Sequence, residues 1–232
     1  MPASIQAAAY ADTEILFDWH KVEGFKGGSI DGVKVIVRGT DGAAQTMVGI
    51  DLLFATSHIP TPSDEANVSI DVAPTTLGTT GAAVDTPGWF NNLVGYVPVA
   101  SGDFNDADLI YLNVANVNLS GEEIPVSGDL YVAAVAKGAL DFRTTVQVNE
   151  TGFAAGAQTV ITLDTKDATL LFAPGDVIHA VDDAVLGTIK TVDSATQITL
   201  TKANVDAIAN NDVLYNVSPI QLILSGTCLL YT

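Results

Sequence analysis

The 232-residue chain carries 27 acidic and 9 basic side chains, a formal net charge of −18, yet only 16% of its residues are charged while 48% are hydrophobic. So negative a balance repels phosphate backbones and argues against direct nucleic-acid binding, and the basic residues (Lys21, Lys26, Lys34, Arg38, Lys137, Arg143, Lys166, Lys190, Lys202) are scattered rather than gathered in a stripe. No run approaches the roughly 20 apolar residues of a membrane-spanning helix.

So little charge leaves two ways to build a surface. Thr, Ser, Asn, Gly and Ala cover it, or much of it is buried against other subunits. The single cysteine, Cys228, excludes an intramolecular disulfide and reads as a small buried hydrophobe. The opening MPASIQAAAYADTEIL lacks a basic n-region and a continuous apolar core, so it does not read as a signal peptide, and folding in a cytoplasm is expected.

Residues 1–12 are small and polar and read as an N-terminal arm. Thr13–Trp19 then alternates, which predicts a strand with Ile15, Phe17 and Trp19 on one face. Gly24–Gly32 reads as a glycine-rich loop, followed by a half-buried strand with Val33, Val35 and Val37 inward. Met47–Ser57 follows, with Val48, Ile50, Leu52 and Phe54 on one face, then a loop stiffened by Pro60 and Pro62. Asn67–Val72 alternates cleanly, and residues 74–88 form a long Thr-, Gly- and Pro-rich connection before Trp89-Phe90. Strands are predicted again at Leu93–Val99, Leu109–Leu119 and Asp129–Ala136. Short strands cut by polar turns, without helices between them, predict an all-β fold whose N-terminal unit, residues 13–144, is a jelly-roll-like β-sandwich.

Beyond residue 144 the strands shorten, and residues 145–218 predict a second, small β-barrel domain. Its centre is GDVIHAVDDAVLGTIKTVDSATQITLT, residues 175–201, in which Val177–Val181, Leu186–Val192 and Thr196–Leu200 are parted by Asp-rich turns and read as a meander. Lys202–Asn210 has the composition of a short helix or turn. The final residues, 220–231, are more apolar than anything in the barrel and fit the last strand of a sheet with a large core. The barrel is therefore either inserted before the last sandwich strand or a tandem domain.

No G-x-S-x-G, C-x-x-C, H-E-x-x-H or phosphate-binding loop occurs. His20, His58 and His179 lie in different elements without metal-ligand spacing, and His179 reads as a structural histidine in a strand. Asp103, Asn105, Asp106 and Asp108 could offer a calcium ion hard ligands; the loop lacks an EF-hand's glycine and glutamate, and such residues are ordinary in turns. The neighbouring pairs Glu122-Glu123 and Asp182-Asp183 read as solvated. No residue is singled out as catalytic, cofactor-binding or metal-ligating.

The segment 175–201, together with Asn210-Asn211-Asp212-Val213-Leu214-Tyr215, resembles barrel-forming segments of tailed-bacteriophage virion structural proteins. The Ala-, Thr- and Gly-rich, lysine-poor sandwich is similar to capsid decoration (cement) proteins. That resemblance implies a non-enzymatic structural protein on the outer surface of a virion capsid. There it would reinforce capsomer junctions as a homo-oligomer, a trimer, in contact with the major capsid protein. It implies no cofactor, nucleic-acid or membrane partner. A phage tail, baseplate or receptor-binding component and a carbohydrate-binding module are the alternative readings; Trp19, Trp89 and Phe90 are the aromatics the last would use.

Overall fold

The computed structural model describes residues 2–3, 9–22, 25, 27–39, 44–56, 92–107, 112–120, 122–142, 145–180 and 185–228. The expected strand Asn67–Val72, the connection 74–88 and Trp89-Phe90 lie outside them, as do His58, Asp108 and Asp182-Asp183. The chain begins with β1 (Pro2–Ala3), β2 (Ala9–Tyr10), β3 (Ile15–Lys21), β4 (Gly28–Arg38), β5 (Ile50–Ala55) and β6 (Leu93–Val99). It continues through β7 (Phe104–Ala107), β8 (Leu112–Asn118), β9 (Ile124–Val126), β10 (Tyr131–Ala136) and β11 (Leu140–Asp141). Then follow β12 (Gln147–Val148), β13 (Val160–Asp164), one helical turn α1 (Ala168–Leu171), β14 (Val177–Ala180) and β15 (Val185–Ser194). The chain closes with β16 (Gln197–Leu200), β17 (Leu214–Asn216) and β18 (Ile220–Cys228). The fold is all-β, as the turn-punctuated sequence predicts.

One sheet runs β1-β18-β4-β8-β7, with β9 also beside β4, and the other runs β3-β10-β5-β6; the pairings are antiparallel. Number β1, β3, β4, β5, β6, β8, β10 and β18 consecutively from one to eight. The sheets then read 1-8-3-6 and 2-7-4-5, the order of a jelly roll built from two Greek keys. Between them lies a core of Val33, Val35, Val37, Ala115, Ile220 and Leu222 from the first sheet. Ile50, Leu52, Phe54, Val97, Val132 and Ala134 face them from the second. The predicted inward faces of the strands at 33–38 and 47–57 are those that pack here.

The sequence pattern and the fold part in three places. Ile15, Phe17 and Trp19 do not share a face: β3 shifts register against β10 on either side of the Ala134–Phe17 pair. Phe17 therefore enters the inter-sheet core while Ile15 and Trp19 join Leu53, Ala55, Ala133 and Val135 on the opposite face of the second sheet. Period-two reasoning holds only between bulges. Second, Gly28–Gly32 is strand rather than loop. Third, the expected N-terminal arm is paired: β1 lies beside β18, β2 beside β11, and Tyr10 packs edge-on to Phe142 in the core, ring centroids 5.9 Å apart.

Residues 145–217 supply β12 to β17, and β18 then returns to the first sheet between β1 and β4. Their sheet runs β12-β13-β16-β15-β14-β17, and the predicted meander is its β14, β15 and β16. Its two ends meet: Gln147 bridges Val213, Val148 N–H donates to Asp212 O at 2.9 Å, and Leu214 N–H to Val146 O at 3.1 Å. The resulting barrel encloses its own core, including Val148, Ile161, Leu163, Ile178, Leu186, Ile189, Ile198 and Leu214. Lys202–Asn210 forms bends and turns rather than a helix. Asn204 is the reason. Fully buried, its Nδ2 donates to Ala154 O at 2.9 Å and to Asp206 O at 2.6 Å, and its Oδ1 accepts from Gln158 N–H at 2.9 Å. The helical turn sits instead at α1, capped by Asp167, whose side chain accepts from Thr169 N–H at 2.9 Å.

Candidate functional site

The residues weighed for chemistry are dispersed. His20 packs edge-on against Phe17, 6.0 Å between ring centroids, while His179 lies 5.7 Å from the ring of Tyr215 within the barrel's wall. Asp103 closes a short 3-10 turn, its Oδ2 accepting from Ala100 N–H at 2.8 Å, and Asn105 Nδ2 donates to Asp103 O at 3.4 Å. The expected calcium-type loop is, over its described part, a turn leading into β7. Glu122 and Glu123 are exposed beside β9. Among the described residues no three His, Cys, Asp or Glu side chains group closely enough to hold a metal ion. Trp19, considered for sugar stacking, is only 1% exposed.

What the fold does assemble is a junction. Arg38 ends β4 on its outward side and reaches Asp176, which precedes β14. Gly175 turns the chain there at φ +96°, and Asp176 Oδ2 also accepts from Ala173 N–H at 2.7 Å. Arg38 N–H donates to Pro219 O at 2.8 Å, so the same residue holds the strand that returns from the barrel. The Asp176 side chain is 12% exposed and that of Arg38 30%, which shields the pair from solvent more than an ordinary surface bridge. Beneath it Phe142, Leu171, Phe172 and Pro219 line an apolar gap. Beside it opens a cleft of about 330 Å³, bounded by Ile36, Leu112 and Gln221 on the sheet and by Asp176 and Val177 on the barrel.

Two further polar clusters lie on the surface. On the outward face of the second sheet Tyr96 O–H donates to Asp51 Oδ1 at 2.9 Å, and Lys137 Nζ stands 3.4 Å from Asp51 Oδ2. Partial desolvation, then the hydrogen bond to Asp51 and its charge, raise the Tyr96 phenol above the ordinary tyrosine range. On the barrel, Asp193 accepts from the hydroxyls of Thr199 at 2.5 Å and Thr191 at 2.8 Å. Those bonds, with Lys190 nearby, hold its carboxyl below the usual aspartate range.

Sequence reasoning missed the junction. Arg38 counted only as one of the scattered bases, and its partner lies 138 residues away. No local signal marks such a pair. Comparison with protein-family models, with curated proteins and with solved structures returned no match for this chain.

Proposed function

We propose that the chain is a non-enzymatic structural protein of a tailed-bacteriophage virion, a capsid decoration (cement) protein. On this reading it sits on the outer surface of the capsid as a homo-oligomer, a trimer, and binds the major capsid protein at capsomer junctions. The observation that carries the reading is the spread of large apolar side chains open to solvent on both units. Tyr96 is 52% exposed on the second sheet, Ile223 45% on the first, and Leu170, Val185 and Val205 are exposed on the barrel. Single exposed apolar side chains are ordinary on any surface; what supports burial against other subunits is their combination with a chain only 16% charged and 48% hydrophobic.

The net charge of −18 suits the outside of a shell, because an inner surface would face packaged DNA and be repelled. Each bound copy adds contacts that exist only in the assembled particle, so it stabilises the shell by mass action. Interfaces of about 1,600 Å² can contribute several kcal/mol per copy, although area does not convert directly into affinity. The test is deletion from the virus that encodes the chain. Particles should assemble but release DNA on milder heating or osmotic shock, and added protein should restore them.

Particles of unchanged strength would overturn the reading. If such particles also failed to adsorb to host cells, a receptor-binding tail component would replace it. On that second reading the contact would use Val185 and Val205, which are both exposed on the barrel.

A further inference from the structure

The outward face of the first sheet departs from the rest of the chain in its charge. Its central rows are Gln221 and Ile223 on β18, Lys34 and Ile36 on β4, and Leu112, Val114 and Asn116 on β8. Ile223 pairs with Lys34, Gln221 with Ile36, Ile36 with Val114 and Lys34 with Asn116, so these positions form one continuous surface. Ile223 is 45% exposed, and Ile36, Leu112 and Val114 are half-buried. Among the described outward positions of these three strands the only carboxylate is Asp31, at the end remote from Arg38, where Ser29 Oγ donates to it at 2.8 Å. Acids outnumber bases 27 to 9 in the whole chain, yet this face carries Lys34 and Arg38. Arg38 is committed to Asp176, while Lys34 makes no ion pair among the described residues.

We infer that this face is the surface through which copies of the chain associate head to tail, with an acidic patch of a neighbouring copy seated over Lys34 and Ile223. A two-fold contact of this face with itself would bring in two copies of Lys34 and, as carboxylates at its described positions, only two copies of Asp31, which Ser29 already engages, so it gains little from charge. Any other part of a chain with net charge −18 offers carboxylates in abundance, so complementarity selects a heterologous contact, and repeated heterologous contacts close into a ring when the rotation allows. Three strands of about seven residues expose on the order of 400 Å² on one face, roughly half of what a stable interface takes from each partner. The neighbour must therefore also reach the barrel wall across the cleft beside Asp176 and Val177. The inference rests on the proposed oligomeric role and gives it a surface.

The experiment is sedimentation equilibrium on the full chain, comparing wild type with Lys34→Glu, Ile223→Glu and the barrel control Lys190→Glu, with circular dichroism to establish folding. Wild type should sediment as a multiple of 24.0 kDa. Lys34→Glu and Ile223→Glu should each weaken association by about tenfold or more, and Lys190→Glu by less than about threefold. An oligomer untouched by Lys34→Glu and Ile223→Glu, or weakened as much by Lys190→Glu, overturns this interface while leaving the oligomeric role standing. A wild-type chain of 24.0 kDa at every concentration overturns both. Carbodiimide cross-linking of mixed light and isotope-labelled copies gives a second readout. Lys34 should appear joined to a carboxylate of the other copy, and a Lys34 cross-linked only within its own chain counts against the contact.

Discussion

The jelly roll and the barrel are both antiparallel, yet they are closed in opposite ways. The barrel is closed from within one continuous stretch of chain: β14, β15 and β16 are a meander, and the stretch's two ends meet through Gln147 and Val213. The jelly roll is closed by strangers, since β18 inserts between β1 and β4 from the far end of the chain. Local closure carries a small loop entropy and non-local closure a larger one. The barrel therefore has the means to stand as its own cooperative unit, while the sandwich depends on both termini. Each also buries its own cluster of apolar side chains.

The most severe test of that contrast is a cavity in one unit. Phe54 is fully buried between the two sheets and Leu186 fully buried in the barrel. Phe54→Ala should cost about 4 kcal/mol and lower only the sandwich's calorimetric transition; Leu186→Ala, about 3 kcal/mol, should lower only the barrel's. A single transition that moves with either substitution would mean the two units melt as one. Next in size is Asn204→Ala, which leaves Ala154 O, Asp206 O and Gln158 N–H without their side-chain partner. About 2 kcal/mol should be lost, again from the barrel alone, with faster amide exchange at Gln158.

Arg38→Gln should cost only about 1 kcal/mol and move neither core. Its signature is geometric: small-angle scattering should show a wider distribution of particle dimensions once the Asp176 contact is gone. An unchanged profile would assign the junction's rigidity to Phe142, Leu171, Phe172 and Pro219 instead. The smallest effect belongs to Asp193. Its folded-state carboxyl titrates below its unfolded value, so its contribution is present above the unfolded value and fades as pH falls through the folded one. Thr199→Val should therefore narrow the barrel's stability at neutral pH, and the gap from wild type should close in strong acid. A gap that stays constant into acid would assign the loss to packing.

The same contrast explains what the sequence made legible. Val33, Val35 and Val37, or Ile50, Leu52 and Phe54, announce their inward faces because no bulge interrupts them. The meander is legible because its turns are Asp- and Ser-rich and local. Phe17 was misplaced because a bulge in β3 is dictated by the partner strand. Gly28–Gly32 looked like a loop because glycine usually marks one; here it accompanies close strand contact, and a Cβ at Gly226 would overlap the carbonyl of Ser29. α1 is too short to express a helical period. The Arg38–Asp176 junction and the carboxylate-poor sheet face exist only once distant strands lie side by side, so no window of sequence contains them.

The position of β18 has a consequence for how the molecule comes off the ribosome. Strand β4 reaches its full set of neighbours only when residues 220–228 have emerged, after the whole barrel. Until then the first sheet has an open seam between β1 and β4, with Val33, Val35 and Val37 lacking Ile220 and Leu222 against them. Nascent chains should thus carry a finished barrel on an unfinished sandwich, in which β4 is paired with β8 and β9 on one edge and open on the other. Strand β18 is therefore the piece on which closure of the first sheet waits, since it alone joins β1 to β4.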